Sequence, residues 1–139
     1  MTISLDSNIL STVWSPTDPL RHQVAAALDE YRNHASLVLC GFVYAELLPV
    51  QRSQRVLDAI LHELDVHIEW DMGERVFRVA GDAFAGYVER RKSRSSDEPR
   101  RLLTDFLIGA HAEVSGHAIL TRDKRIFRAA FPKLELLRV

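Results

Sequence analysis

Two kinds of apolar pattern alternate along this chain: short unbroken runs, and longer stretches in which apolar residues recur every three or four positions. The first run ends at Asp6, and Ser7 and Asn8 stand ready to cap a helix beginning near Ile9. Asp18-Pro19 supplies a cap followed by proline at the first helical position. Leu20, Val24, Ala27, Leu28 and Tyr31 then continue at helical spacing, which predicts a helix over 19–33. Leu37 to Cys40 is a short strand-like run broken by Gly41, and Phe42 to Leu48 reads as a helix stopped near Pro49. Residues 54–64 and 74–91 are amphipathic helices, with a further strand predicted from Val66 to Trp70 between them. Beyond a Ser-, Asp- and Pro-rich surface loop from Ser93 to Pro99, Leu102 to Val114 returns to helix. Ala118 to Thr121 is a buried strand, Lys124 to Ala130 a short helix and Leu134 to Val139 a last strand.

Short apolar strands separated by helices predict an α/β fold with a central parallel sheet, because parallel neighbours need a crossover and helices are the usual crossover. Runs that are apolar throughout, not alternating, predict helices on both faces of that sheet and hence three layers. In such sheets ligands bind beyond the carboxyl ends of the strands, which is where Asp6 and Asp123 fall.

Composition narrows the reading only slightly. The chain has 139 residues, 47% of them apolar, enough for a core without disulfides, and 1–139 reads as one domain with no internal repeat. A net charge of -1 excludes a uniformly basic coat, so any polyanion site must be local. Cys40 is the only cysteine, which excludes an internal disulfide or a cysteine-rich zinc site and suits a reducing compartment, the cytoplasm. No basic-then-apolar leader opens the sequence, and no apolar run approaches the roughly 18 residues of a membrane span.

Candidate chemistry lies in four acids. Asp6 and Asp123, each between a strand and a helix, read singly as caps. Glu46 stands among Phe42, Val43, Ala45, Leu47 and Leu48, a helix with little polar face, and is either an exposed position or a carboxylate that needs a partner. Asp105, in the first turn of its helix, also meets the helix dipole favourably. Taken together, two acids at strand ends and two on neighbouring helices would converge. An all-oxygen acidic cluster calls for Mg²⁺ or Mn²⁺ rather than zinc.

Leu5-Asp6-Ser7-Asn8, Tyr44-Ala45-Glu46-Leu47, the helix Thr104-Asp105-Phe106-Leu107-Ile108-Gly109-Ala110-His111-Ala112, and Leu120-Thr121-Arg122-Asp123 follow one another in that order. They resemble the four acidic motifs of PIN-domain ribonucleases, particularly VapC-type toxins of type II toxin-antitoxin systems, and the ending Phe131-Pro132-Lys133-Leu134-Glu135-Leu136 is similar too. The resemblance implies a PIN-like three-layer α/β/α sandwich and Mg²⁺-dependent endonucleolytic cleavage of RNA. It also implies a toxin homodimer and a cognate VapB-like antitoxin that blocks the acidic cleft with a basic side chain. Asp6 and Asp105 would bind the metal directly, while Glu46 and Asp123 would hold its water or a second ion. The sequence departs from the family pattern at Cys40 and Val43, where hydroxyl side chains are frequent, which touches hydrogen bonding around the ligands and not the ligands themselves.

Six basic residues lie between Arg90 and Arg101 against Asp97 and Glu98, and Arg122, Lys124, Arg125 and Arg128 surround the last acid. Arg100, Arg101 and Arg122 are the candidate RNA contacts, set against ordinary solvated charges. His111, on the Asp105 helix, reads as solvent-facing or at the core edge, Trp14 and Trp70 as core or interface, and Cys40 as an inert packing residue. Two rivals remain. A haloacid-dehalogenase-like phosphatase also begins with a strand-end aspartate but needs a second Asp where this chain has Asn8, and a PIN-like RNA- or protein-binding module would lack catalysis.

Overall fold

A computed structural model describes residues 1–93 and 103–139. The elements are β1 (Thr2–Leu5), α1 (Ser7–Val13), α2 (Arg21–Arg32), β2 (Ser36–Cys40), α3 (Gly41–Gln51) and α4 (Gln54–Glu63). They continue with β3 (Val66–Glu69), α5 (Gly73–Ser93), α6 (Leu103–Ser115), β4 (Ala118–Leu120), α7 (Lys124–Ala130) and β5 (Leu136–Leu137). All strand pairings are parallel and the order is β3-β2-β1-β4-β5.

That order determines the layers. From β1 the chain steps outward through β2 to β3, then returns across β1 to β4 and steps the other way to β5. Right-handed crossovers in opposite directions put α1 to α4 on one face and α5 to α7 on the other. Within each face the helices contact one another, α1 with α2 and α3, α3 with α4, and α5 with α6 and α7, and α3 also touches α6 of the other face. Both faces are indeed covered: Ile3, Ser4 and Leu5, which point alternately up and down, all have 0% exposure. The three-layer α/β/α sandwich with a parallel sheet is therefore present. The direction of travel reverses between β1 and β4, a topological switch point whose crevice opens beyond the strands' carboxyl ends.

Local departures from the sequence pattern have identifiable causes. Helix α1 is capped by Asp6, not by Ser7 or Asn8: Asp6 is extended (φ -76, ψ 152) and accepts from the Ser7 N–H at 2.8 Å. Helix α2 starts at Arg21, because Asp18 and Pro19 form a turn in which Asp18 Oδ1 accepts from the Leu20 N–H at 2.9 Å. Helix α3 runs through Pro49 to Gln51. One missing hydrogen bond does not outweigh the burial of Val43, Tyr44 and Leu47, and the helix stops only where Arg52 turns left-handed (φ 64). The last strand pairs over Leu136 and Leu137 alone.

Seven consecutive residues of α6, Phe106 to Ala112, are buried, so this helix lies inside the fold and not on its surface. Gly109 makes that possible. A Cβ there would lie 2.6 Å from Phe131 Cδ2, so the aromatic ring occupies the space a side chain would need. His111 belongs to the same run and is 1% exposed, correcting the solvent-facing expectation.

Candidate active site

Asp6, at the end of β1, is 6% exposed, and its backbone N–H extends the ladder to the Leu120 carbonyl of β4 at 3.1 Å. Its side chain therefore sits at the switch point. Oδ1 receives the Ser7 N–H, and Oδ2 receives the Thr121 hydroxyl at 2.7 Å. Burial pushes the carboxyl above its ordinary range. The hydrogen bonds from Thr121 and Ser7 pull it down, and repulsion from Asp105 and Asp123 pushes it up again.

Glu46 reaches the same region from α3. It is exposed, yet its carboxyl is also raised, first by partial loss of water and then by repulsion from Asp6, with Asp105 contributing and a Ser7 hydrogen bond opposing. The repulsion shows that Asp6 and Asp105 both lie within electrostatic reach of Glu46. Asp105 is half-buried in the first turn of α6, the helix that α3 touches. Asp123 occupies the cap position of α7, but its carboxylate makes no cap hydrogen bond to that helix. Its own N–H donates to Thr121 Oγ1 at 3.0 Å. The structure thus brings Asp6 within electrostatic reach of the other three acids. As they stand, no three His, Cys, Asp or Glu side chains among the described residues are close enough to hold an ion.

Three uncharged side chains around these acids escaped the sequence reading. Thr121 serves both Asp6 and Asp123. Asn8 bridges α1 to the segment after β4, donating to Thr121 Oγ1 at 3.3 Å and accepting the Arg122 N–H at 3.1 Å. Thr12, 2% exposed, accepts from Arg122 Nη1 at 2.7 Å. Thr121 and Asn8 lie within the motif stretches around Asp123 and Asp6, but only the fold shows that they meet.

Of the basic candidates, Arg122 is engaged: Nη1 also contacts Asp18 Oδ2 at 2.7 Å. Arg100 and Arg101 lie outside the described residues. Cys40 is buried with its thiol pushed up chiefly by burial, so it is a protonated packing group and not a nucleophile. Trp14 is partly buried against the core, whereas Trp70 is 61% exposed and packs edge-on to Tyr44 with ring centroids 5.0 Å apart.

A doubly wound parallel sheet with Asp6 at its switch point, within electrostatic reach of Glu46, Asp105 and Asp123, defines an α/β protein whose candidate ligand site lies beyond the strands' carboxyl ends. Residues 3–132 match the profile of the PIN domain family, and the chain belongs to that family. No curated protein sequence matches it. Among solved structures it is similar to the VapBC2 complex of Rickettsia felis bound to a promoter DNA fragment, at 18% identity over 99% of this chain and 98% of that one, with TM-score 0.72. It is also similar to a toxin-antitoxin complex from Klebsiella pneumoniae, at 16% identity over 98% and 96% with TM-score 0.64. A third is VapC20 of Mycobacterium tuberculosis, described as a sarcin-ricin-loop-cleaving toxin, at 17% identity over 93% and 95% with TM-score 0.60. No described helix is long and apolar enough to cross a membrane.

Proposed function

We propose that this chain is a Mg²⁺-dependent endoribonuclease, the toxin of a toxin-antitoxin pair, hydrolysing RNA phosphodiester bonds at Asp6, Glu46, Asp105 and Asp123. The observation that carries the reading is geometric: Asp6 is buried at the switch point at the end of β1, with Glu46, Asp105 and Asp123 within electrostatic reach of it. Carboxylates gathered at one place are chemically fitted to bind a cation, and an all-oxygen donor set suits Mg²⁺ or Mn²⁺.

In this reading Asp6 and Asp105 hold the metal, and Glu46 and Asp123 orient the attacking water or hold a second cation. Bound Mg²⁺ would neutralise the scissile phosphate and the charge developing on its leaving oxygen. Thr121 stabilises the ionised form of Asp6 by donating to it. The partners of this reading are structured RNA, a VapB-like antitoxin and a second copy of the chain. Solved relatives that are a toxin-antitoxin complex and a sarcin-ricin-loop-cleaving toxin support the antitoxin and the RNA.

The absence of a ready three-carboxylate group among the described residues favours, as a second reading, a PIN-like module that binds RNA or protein without cleaving. Incubating the purified chain with a structured RNA, in Mg²⁺ and in EDTA, separates the two. Cleavage that EDTA and Asp105→Asn both abolish supports the nuclease, whereas binding with no cleavage in Mg²⁺ or Mn²⁺ supports the module.

A further inference from the structure

Arg122 lies next to Asp123 in sequence and looks like a phosphate contact, but its surroundings assign it otherwise. Its Nη1 donates to Thr12 Oγ1 and to Asp18 Oδ2, both at 2.7 Å, joining residues 110 and 104 positions away. The two charged side chains are only 33% and 20% exposed, so this pair is better shielded than an ordinary surface ion pair. Thr12 is fixed in turn, its hydroxyl donating to the Asn8 carbonyl at 2.6 Å. Asp18 is held below its ordinary range, first by the Leu20 N–H and then by Arg122, so it stays ionised opposite the guanidinium.

From the same residue a second line of contacts runs inward. The Arg122 N–H donates to Asn8 Oδ1, Asn8 Nδ2 donates to Thr121 Oγ1, and the Thr121 hydroxyl donates to Asp6 Oδ2 while accepting the Asp123 N–H. Arg122 thus clamps the 121–123 segment from its side chain and from its backbone. That segment carries one acid of the site and the hydroxyl that aims another.

We propose that Arg122, anchored by Asp18 and Thr12, is a positioning residue that holds Thr121 and Asp123 in place around Asp6, and that it is not a phosphate contact. The inference rests on the nuclease reading for its catalytic consequence, though not for its geometry. A guanidinium already paired with Asp18 releases few counterions when RNA binds, so it contributes little to salt dependence.

The test compares wild type, Arg122→Ala, Asp18→Asn and the double variant in three measurements: kcat and KM on a structured RNA in Mg²⁺, the slope of log Kd against log salt, and amide hydrogen exchange. Positioning predicts that both variants lose about 10- to 100-fold in kcat, with KM and the salt slope unchanged. It also predicts faster exchange at the Arg122 and Asp123 N–H groups in both, and a double variant no worse than either single one. A phosphate contact predicts the opposite split: Arg122→Ala raises Kd and flattens the salt slope by about one, while Asp18→Asn frees the guanidinium and tightens RNA binding. That split, or an unchanged kcat in both variants of an active protein, overturns the inference alone. A wild type that never cleaves RNA overturns the nuclease reading, and the exchange measurement still decides whether Arg122 holds the segment.

Discussion

The Thr121 hydroxyl donates to Asp6 Oδ2 at 2.7 Å, and the same oxygen of Thr121 accepts the Asp123 N–H at 3.0 Å. One uncharged side chain at the end of β4 therefore ties together two acids that lie 117 positions apart. Thr121→Val keeps the shape and removes both bonds, leaving the buried Asp6 with only the Ser7 N–H to favour its charged form. We expect a loss of about 1–3 kcal/mol in stability, by urea denaturation, and a 10- to 100-fold fall in Mg²⁺-dependent cleavage. Thr121→Ser should recover most of both. A Val variant with wild-type kinetics would remove Thr121 from the site.

Neutralising Asp6 should separate catalysis from stability. Asp6→Asn removes a charge that is disfavoured by burial and by Asp105 and Asp123, so in EDTA the variant should melt at or above the wild-type temperature. Added Mg²⁺ should raise the wild-type melting temperature, since binding to the folded form at a hundredfold excess over Kd is worth about 2.7 kcal/mol, and should barely move the variant. Cleavage should fall by more than the roughly 100-fold that loss of an outer hydrogen-bond partner costs. An Asn variant that is less stable in EDTA yet responds fully to Mg²⁺ would show that Asp6 is only a helix cap.

Stability should fall on mild acidification because of His111. The imidazole is 1% exposed, neither ring nitrogen has a well-formed hydrogen-bond partner among the described residues, and its pKa lies below the ordinary 6.5. Burial is the main cause. Glu69, whose Oε2 is 3.5 Å from Nε2, opposes it, and His117, itself 2.6 Å from Glu69, reinforces it. The unfolded chain takes up the proton first as pH falls, so this contribution is complete above 6.5 and is lost below it. Denaturation curves between about pH 5 and 8 should show stability rising with pH, by at most about 1.4 kcal/mol per unit for one proton, and His111→Gln should flatten the slope. A slope that survives the substitution would point to other groups.

Gly109→Ala is expected to cost about 1–3 kcal/mol despite alanine's better helix propensity, because the new methyl meets the Phe131 ring. Phe131→Leu in the same background should restore part of the loss. A stabilised Gly109→Ala protein would show that the ring moves aside freely.

Much of the α/β class could be read from the chain, because strands buried on both faces must be apolar throughout and helices with one buried face must be periodic. The four acids were legible as candidates for a second reason: a carboxylate at a strand end or on an apolar helix needs a cap, a cation or water, and four residue contexts of that kind in order are informative. Local residues could not settle competitions between partners. Whether Asp6 or Ser7 caps α1 depends on how far the β1 ladder extends beside β4. Pro49 stays helical because Val43, Tyr44 and Leu47 are buried, and His111 faces inward because α6 is enclosed on all sides. Arg122 is the sharpest case. Beside Asp123 in sequence it is an unpaired cation near an acidic site, and only the packing of α1 and the 14–20 segment against the end of β4 delivers Asp18 and Thr12 to its guanidinium. Sequence by itself determined which side chains can carry charge, cap or pack. Tertiary structure decided which of them meet, because electrostatic and hydrogen-bond energies depend on distances of a few ångströms between residues more than a hundred positions apart.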